Sequence, residues 1–161
     1  MSARKRSRRD SFGGFSRKVN KVDKKIISIN QTAVANSQVN TDLITATFPC
    51  TIVGLRWNIT VAQDAGTGNG VGRWAIVRLK DGMTADTLQG GDGGTLYNPE
   101  QEVMAFGYWQ TDNNIQIIMD KGDTKTMRKL QGGDKIVFLA VGVATNTVTI
   151  IGGIQFFCKT S

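Results

Sequence analysis

The sequence contains no histidine. That absence removes the commonest general base, the commonest transition-metal ligand and every Ser-His or Cys-His nucleophile arrangement, so the chain reads as a non-enzyme. Cysteine is nearly missing: Cys50 and Cys158 stand far apart and form no CxxC spacing. Neither a disulfide framework nor a zinc site is expected, but rather two buried thiols of a protein made in a reducing compartment, with no cofactor. Only two prolines, Pro49 and Pro99, interrupt the chain. No apolar run reaches membrane-spanning length, so the chain reads as soluble, with no membrane partner. There is also no internal repeat, no coiled-coil heptad and no long helical period.

What is present is glycine, nineteen residues of it, with abundant valine, isoleucine and threonine. This composition predicts an all-β domain with many turns. At 161 residues the chain is long enough for one domain, residues 26–161, behind a short N-terminal segment, residues 1–25.

That segment holds Arg4, Lys5, Arg6, Arg8, Arg9, Arg17, Lys18, Lys21, Lys24 and Lys25 against Asp10 and Asp23, a net +8. Since the whole chain carries +7, the remainder is close to neutral. A block of like charge with few apolar residues cannot offset its ordering entropy, so it reads as a disordered arm that seeks a polyanion. Nucleic acid is the expected polyanion, bound through those ten cations. Residues 4–9 would also serve as a nuclear-import signal. No apolar run follows the cations, so a secretory leader is not expected. A mitochondrial transit peptide fits poorly, because Asp10 interrupts the charge and Gly13 with Gly14 breaks an amphipathic helix.

Beyond the arm, strands are expected at 25–31, 42–48, 50–61, 71–80, 103–109, 114–120, 124–130, 135–143 and 147–159. The clearest is 50–61, where Val53, Leu55, Trp57, Ile59 and Val61 alternate with Arg56, Asn58 and Thr60, giving one buried and one polar face. This alternation aligns Cys50 with the polar residues, whereas Cys158 aligns with Ile154 and Phe156, so the two thiols are expected in different environments. Residues 103–109 are apolar on both faces, which means either a central core strand or a strand with one face buried by a partner. At 114–120, Ile115, Ile117 and Met119 are expected inward and Gln116 outward. Gly66, Gly68 and Gly70 lead into a strand pattern rather than a helix, which excludes a dinucleotide fingerprint. The glycine-rich stretch 81–97 lacks the following Gly-Lys-Ser/Thr of a phosphate-binding loop; a loop this long in a compact domain is usually functional or mobile. Asn98, Pro99 and Gln101 carry the signs of a short helical turn.

Counted conservatively these segments make eight or nine strands, and eight antiparallel strands in a domain of this size suit a jelly-roll sandwich or a closed barrel. The whole pattern, a basic arm ending at Lys25 followed by these strands, resembles the single-jelly-roll coat proteins of small icosahedral viruses. It looks most like those of satellite viruses and of small circular single-stranded DNA viruses. The resemblance rests on architecture and length. It implies an eight-stranded antiparallel jelly roll, a virion structural protein that self-assembles into a T=1 shell of about 60 copies, and arms that line the interior against the genome. Single-stranded DNA is favoured over RNA as cargo, although phosphate contacts carry no sugar preference. Assembly in the host nucleus would follow from the import signal.

Asp64, Asp81, Asp86, Asp92, Asp120 and Asp123 fall in expected turns or at strand ends, where Ca²⁺ between subunits would find hard oxygen ligands. The plainer reading is that they are turn residues chosen for local hydrogen bonding. A non-viral oligomeric β-sandwich module, nuclear and nucleic-acid-binding or chaperone-like, is the competing reading. A histone chaperone would be expected to carry acidic tracts, and this arm has the opposite sign.

Overall fold

The computed structural model describes residues 21–33, 37–63, 70–85, 88, 101–112, 114–142 and 147–160. All regular structure among them is strand: β1 (Val22–Ala33), β2 (Gln38–Thr45), β3 (Cys50–Gln63), β4 (Gly70–Leu79), β5 (Gln101–Thr111), β6 (Ile117–Thr124), β7 (Arg128–Leu130), β8 (Lys135–Gly142) and β9 (Val148–Thr160). No helix among the described residues is long and apolar enough to cross a membrane. The helical turn expected around Asn98 and most of the stretch 81–97 lie outside the described residues.

Two antiparallel sheets stack as a sandwich. The first runs β1-β9-β3-β6, and the second β2-β8-β4-β5. β7 lies against the same edge of β3 as β6: β6 pairs with residues 55–62 of β3, and β7 pairs with residues 50–52. The described strands therefore number nine rather than eight, because the edge beside β3 is broken into two pieces. The break faces a bulge. Ile52 pairs with Cys158 but Gly54 pairs with Phe157, so Val53 is an extra residue in β3. Comparable bulges insert Leu43 in β2 and Met104 in β5.

A bulge of one residue exchanges the two faces of everything beyond it. In β3 the inward parity changes from Ile52 to Leu55, Ile59 and Val61. Cys50 therefore sits with Ile52 rather than with Arg56. It stands on the same side of the sheet as Cys158, diagonally across the β3–β9 pair. The expectation of separate environments is corrected: both are free, half-buried thiols packed against the same core. Burial pushes both thiols above the ordinary cysteine range, and each outweighs the opposing pull of Lys25.

The space between the sheets is filled by a cluster that includes Ile52, Ile59, Trp74, Phe138, Ile150 and Phe156. Trp74 stacks on Phe138, with ring centroids 6.3 Å apart, and meets Trp57 edge-on at 5.7 Å. A second cluster lies on the other side of the β2–β8–β4–β5 sheet, where Ala75, Val77, Leu79, Val137, Leu139 and Val141 pack with Leu88. The Leu88 N–H donates to Gln38 Oε1, which pins the segment after β4 over that face. From Ile136 onward β8 is apolar because it is covered on both sides.

One end of the sandwich is closed by charge. Arg78 donates to the buried Asp134 at 2.7 Å, and Asp134 also accepts from the N–H groups of Asp81 and Gln131. Glu102 lies 3.1 Å from Arg78 and 3.0 Å from Arg128 of the opposite sheet, at ion-pair distance but off ideal hydrogen-bond geometry. Burial works to raise the Asp134 carboxyl, but the Gln131 N–H, the Arg78 guanidinium and the Asp81 N–H together hold it below the ordinary carboxylate range. Burial likewise works against the Arg78 charge and is outweighed by Asp134 and Glu102.

In β6 the observed facing is the reverse of that expected. Ile117 and Met119 point to solvent, whereas Ile118 and Asp120 turn inward. The cause is Asp120, whose two carboxylate oxygens accept from the indole N–H groups of Trp57 (3.2 Å) and Trp74 (3.1 Å). Gly107 and Gly122 leave the room for it. A Cβ on Gly107 would lie 2.5 Å from both Asp120 Oδ2 and Trp74 Nε1, and one on Gly122 would lie 2.2 Å from the Trp57 ring.

Candidate nucleic-acid interface

Of the ten cations expected to bind nucleic acid, Lys21, Lys24 and Lys25 are described; Arg4, Lys5, Arg6, Arg8, Arg9, Arg17 and Lys18 lie outside the described residues. β1 begins at Val22, upstream of the boundary expected at residue 25, so Lys24 and Lys25 stand in the sheet. Lys21 is exposed, 3.7 Å from the half-exposed Asp23, a surface pair that contributes little. Lys24 and Lys25 point to opposite sides of β1, because side chains alternate along a strand. Lys25 turns toward the end of the sandwich, where it lines a cleft with Phe48, Cys50 and Cys158.

Lys24 faces the open side of the β1-β9-β3-β6 sheet, and the register shows what joins it there. Val22, Lys159, Thr51 and Lys129 form one row across the strands, and Ile26, Gln155, Arg56 and Asp123 form another. The next row is Ser28, Gly153, Asn58 and Lys121. Among the described residues this face therefore carries Lys24, Arg56, Lys121, Lys129 and Lys159 against one carboxylate, Asp123. Alternation explains the arrangement, since the same strands send Ile29, Leu55, Ile59, Ile154 and Phe156 into the core. Arg56, expected on the polar face of 50–61, and Lys129, within the strand expected at 124–130, thus meet on one surface with Lys24. No sequence period signals that meeting, because it depends on which strands are neighbours.

The face holds a shallow depression of about 490 Å³ around Gly153, bordered by Arg56, Asn58, Lys121 and Gln155 and, on one side, by Asp123. Arg56 also lies over the Phe157 ring, 5.9 Å from its centroid. A guanidinium, an ammonium and two side-chain amides around an open floor suit phosphate oxygens, and an arginine on an aromatic ring offers a platform for a base. Such contacts position a nucleic acid without reading its sequence.

The described acidic residues considered for calcium, Asp81, Asp120 and Asp123, do not come together within the chain. Asp120 is held between two indoles, Asp123 lies on the opposite side of β6 beside Arg56, and Asp81 is in the turn after β4. Asp64, Asp86 and Asp92 lie outside the described residues, and among those described no group of three His, Cys, Asp or Glu could hold a metal. No protein-family model matches this chain, and no curated protein matches it.

Proposed function

We propose that the chain is a shell-forming coat protein, a jelly roll that packages single-stranded nucleic acid through its basic N-terminal segment together with the open face of the β1-β9-β3-β6 sheet. The observation that carries this reading is continuity. The segment richest in Arg and Lys enters β1 at Val22, and β1 belongs to the sheet whose exposed side adds Lys24, Arg56, Lys121, Lys129 and Lys159. A polycationic segment and a fixed basic floor then address the same polyanion, and counterion release from both drives binding.

The strand pairing supports the jelly roll. β1 pairs with β9, β2 with β8, β3 with β6 and β4 with β5, and successive pairs alternate between the two sheets. Nested pairing of this kind is what a long two-stranded ribbon gives when it is rolled up, with β7 as an addition to the β6 edge.

Deleting residues 1–20 tests the division of labour. It removes seven cations and Asp10 but no described strand. The sandwich is expected to stay folded by circular dichroism, while purified particles lose most of their absorbance at 260 relative to 280 nm. Particles of about a megadalton carrying normal nucleic acid after the deletion would show that the segment is not the packaging element. A wild-type protein that remains a trimer or pentamer would favour a binding module or chaperone instead.

A further inference from the structure

β6 pairs with β3 along one edge, and along its other edge no described strand pairs with it. The outward parity of β6 continues without interruption past its end. Ile117, Met119, Lys121, Asp123, Lys125 and Met127 form one exposed stripe. Ile117 is 63% exposed, Met119 64% and Met127 72%. Turning the strand over to bury them would take Asp120 off both indoles, so the internal anchor itself holds the apolar residues outward. A long, apolar, unpaired strand edge is a template for pairing with another chain.

We propose that this edge is a homotypic contact, in which β6 of one copy pairs antiparallel with β6 of a second copy about a twofold axis at Gly122. Directly opposed residues of an antiparallel pair share a face, and their side chains interact. With Gly122 opposite its own counterpart, Lys121 faces the second copy's Asp123, and symmetry supplies the pair twice. At the ends, Ile117 faces the second copy's Met127. Met119 faces Lys125, whose methylene stem can cover it. Other registers that keep the stripe on one face fit worse. An axis at Asp123 sets Asp123 against itself and Lys121 against Lys125, and an axis at Lys121 sets Lys121 against itself. An axis at Thr124 recovers an Asp123–Lys125 pair but places Met127 against Lys121 and Met119 against Lys129. The stripe is thus self-complementary in charge and in apolarity at one register, which identifies the occupant as a second copy of this chain. An axis normal to the sheet also keeps the basic faces of both copies on one side, forming a single continuous surface.

This contact does not depend on the shell reading, and charge exchange tests it on the full chain. Sedimentation velocity over a dilution series would compare wild type with Lys121→Asp, Asp123→Lys and the variant carrying both. Each single reversal sets like charges in both symmetry-related pairs, so association through this edge is expected to weaken by about tenfold or more. The double variant is expected to restore it, because the two positions exchange signs and still face each other. Circular dichroism of each variant checks that the sandwich remains folded, since Asp123 also lies opposite Arg56 within the chain. Unchanged assembly in both single variants, or a double variant no better than the worse single one, would overturn the contact. A wild type that stops at a dimer, broken by one reversal and rescued by two, keeps the contact and ends the shell reading. A shell indifferent to every reversal does the opposite.

Discussion

The two outer faces of the sandwich solve opposite problems. On the β2-β8-β4-β5 side the strands send out Ala75, Val77, Val137 and Leu139, and the segment after β4 returns to cover them with Leu88. On the β1-β9-β3-β6 side the outward residues include lysine, arginine, amides and glycine, with exposed apolar side chains toward both edges, Val22 and Ile26 on β1 and Ile117 and Met119 on β6. One face is therefore largely built into the fold, with Phe106 and Tyr108 left exposed at its β5 edge, and the other is polar and open. Stability and binding should separate cleanly between them, because substitutions away from buried contacts usually change stability by little.

The largest effect should come from breaking the covered face. Leu139 is fully buried, and Leu139→Ala is expected to destabilise the protein by about 2–5 kcal/mol through lost burial and a residual cavity. Leu88→Ala should act in the same direction, since Leu88 is 2% exposed. Chemical denaturation would measure both. A Leu88 variant as stable as wild type would mean that the covering segment is not part of the core.

The next effect should come from Asp120, which ties the open sheet to the covered one. Trp57 belongs to β3 and Trp74 to β4, so a single carboxylate bridges the two sheets through their indoles. Asp120→Asn keeps the shape but offers only one oxygen to two N–H donors and points an NH₂ group at one of them. A loss of about 1–3 kcal/mol is expected, accompanied by a change in tryptophan fluorescence. An unchanged midpoint would remove Asp120 as the reason β6 faces as it does.

Much of this arrangement is legible in the sequence, and the exceptions share a cause. Alternation at 50–61 identifies β3 and its inward residues Leu55, Ile59 and Val61. It misplaces Cys50 because the extra residue Val53 reverses the parity, and nothing local marks Val53 as a bulge. At 114–120 the apolar residues alternate as though Ile117 and Met119 were core. Their burial is overridden by Asp120, whose two partners lie 63 and 46 residues away in the chain. The basic cluster is half legible. The arm's charge is obvious in one dimension, whereas the meeting of Lys24, Arg56 and Lys129 needs the strand order.

The charge network that closes one end of the sandwich should produce a smaller, pH-dependent effect. Asp134 has a folded-state pKa below its unfolded value, so its contribution is complete above the unfolded value near 3.8 and is lost as pH falls through the folded value. Asp134→Asn should cost roughly 1–2 kcal/mol at neutral pH, since one oxygen remains to accept from Arg78, Asp81 or Gln131. It should also flatten the acid limb of stability below about pH 4. Thermal melts of both proteins from neutral pH downward would show this. Parallel acid limbs would assign acid sensitivity to other carboxylates.

The smallest stability change, and the sharpest contrast in binding, should come from the open face itself. Arg56→Gln and Lys129→Gln alter exposed side chains, and even with the loss of the Arg56 cation over the Phe157 ring each should shift stability by no more than about 1 kcal/mol. If nucleic acid lies on this face, each substitution removes one phosphate contact and should lower the salt slope of single-strand binding by about 0.7. Arg73→Gln supplies the control, because Arg73 is also exposed but on the other sheet, beside Tyr108. Titrating a short single-stranded oligonucleotide at several salt concentrations distinguishes the two faces: Arg56 and Lys129 should each reduce the slope and Arg73 should not. Equal reductions at all three positions would mean that the polyanion responds to net charge alone, and the basic face would then have no special part in binding.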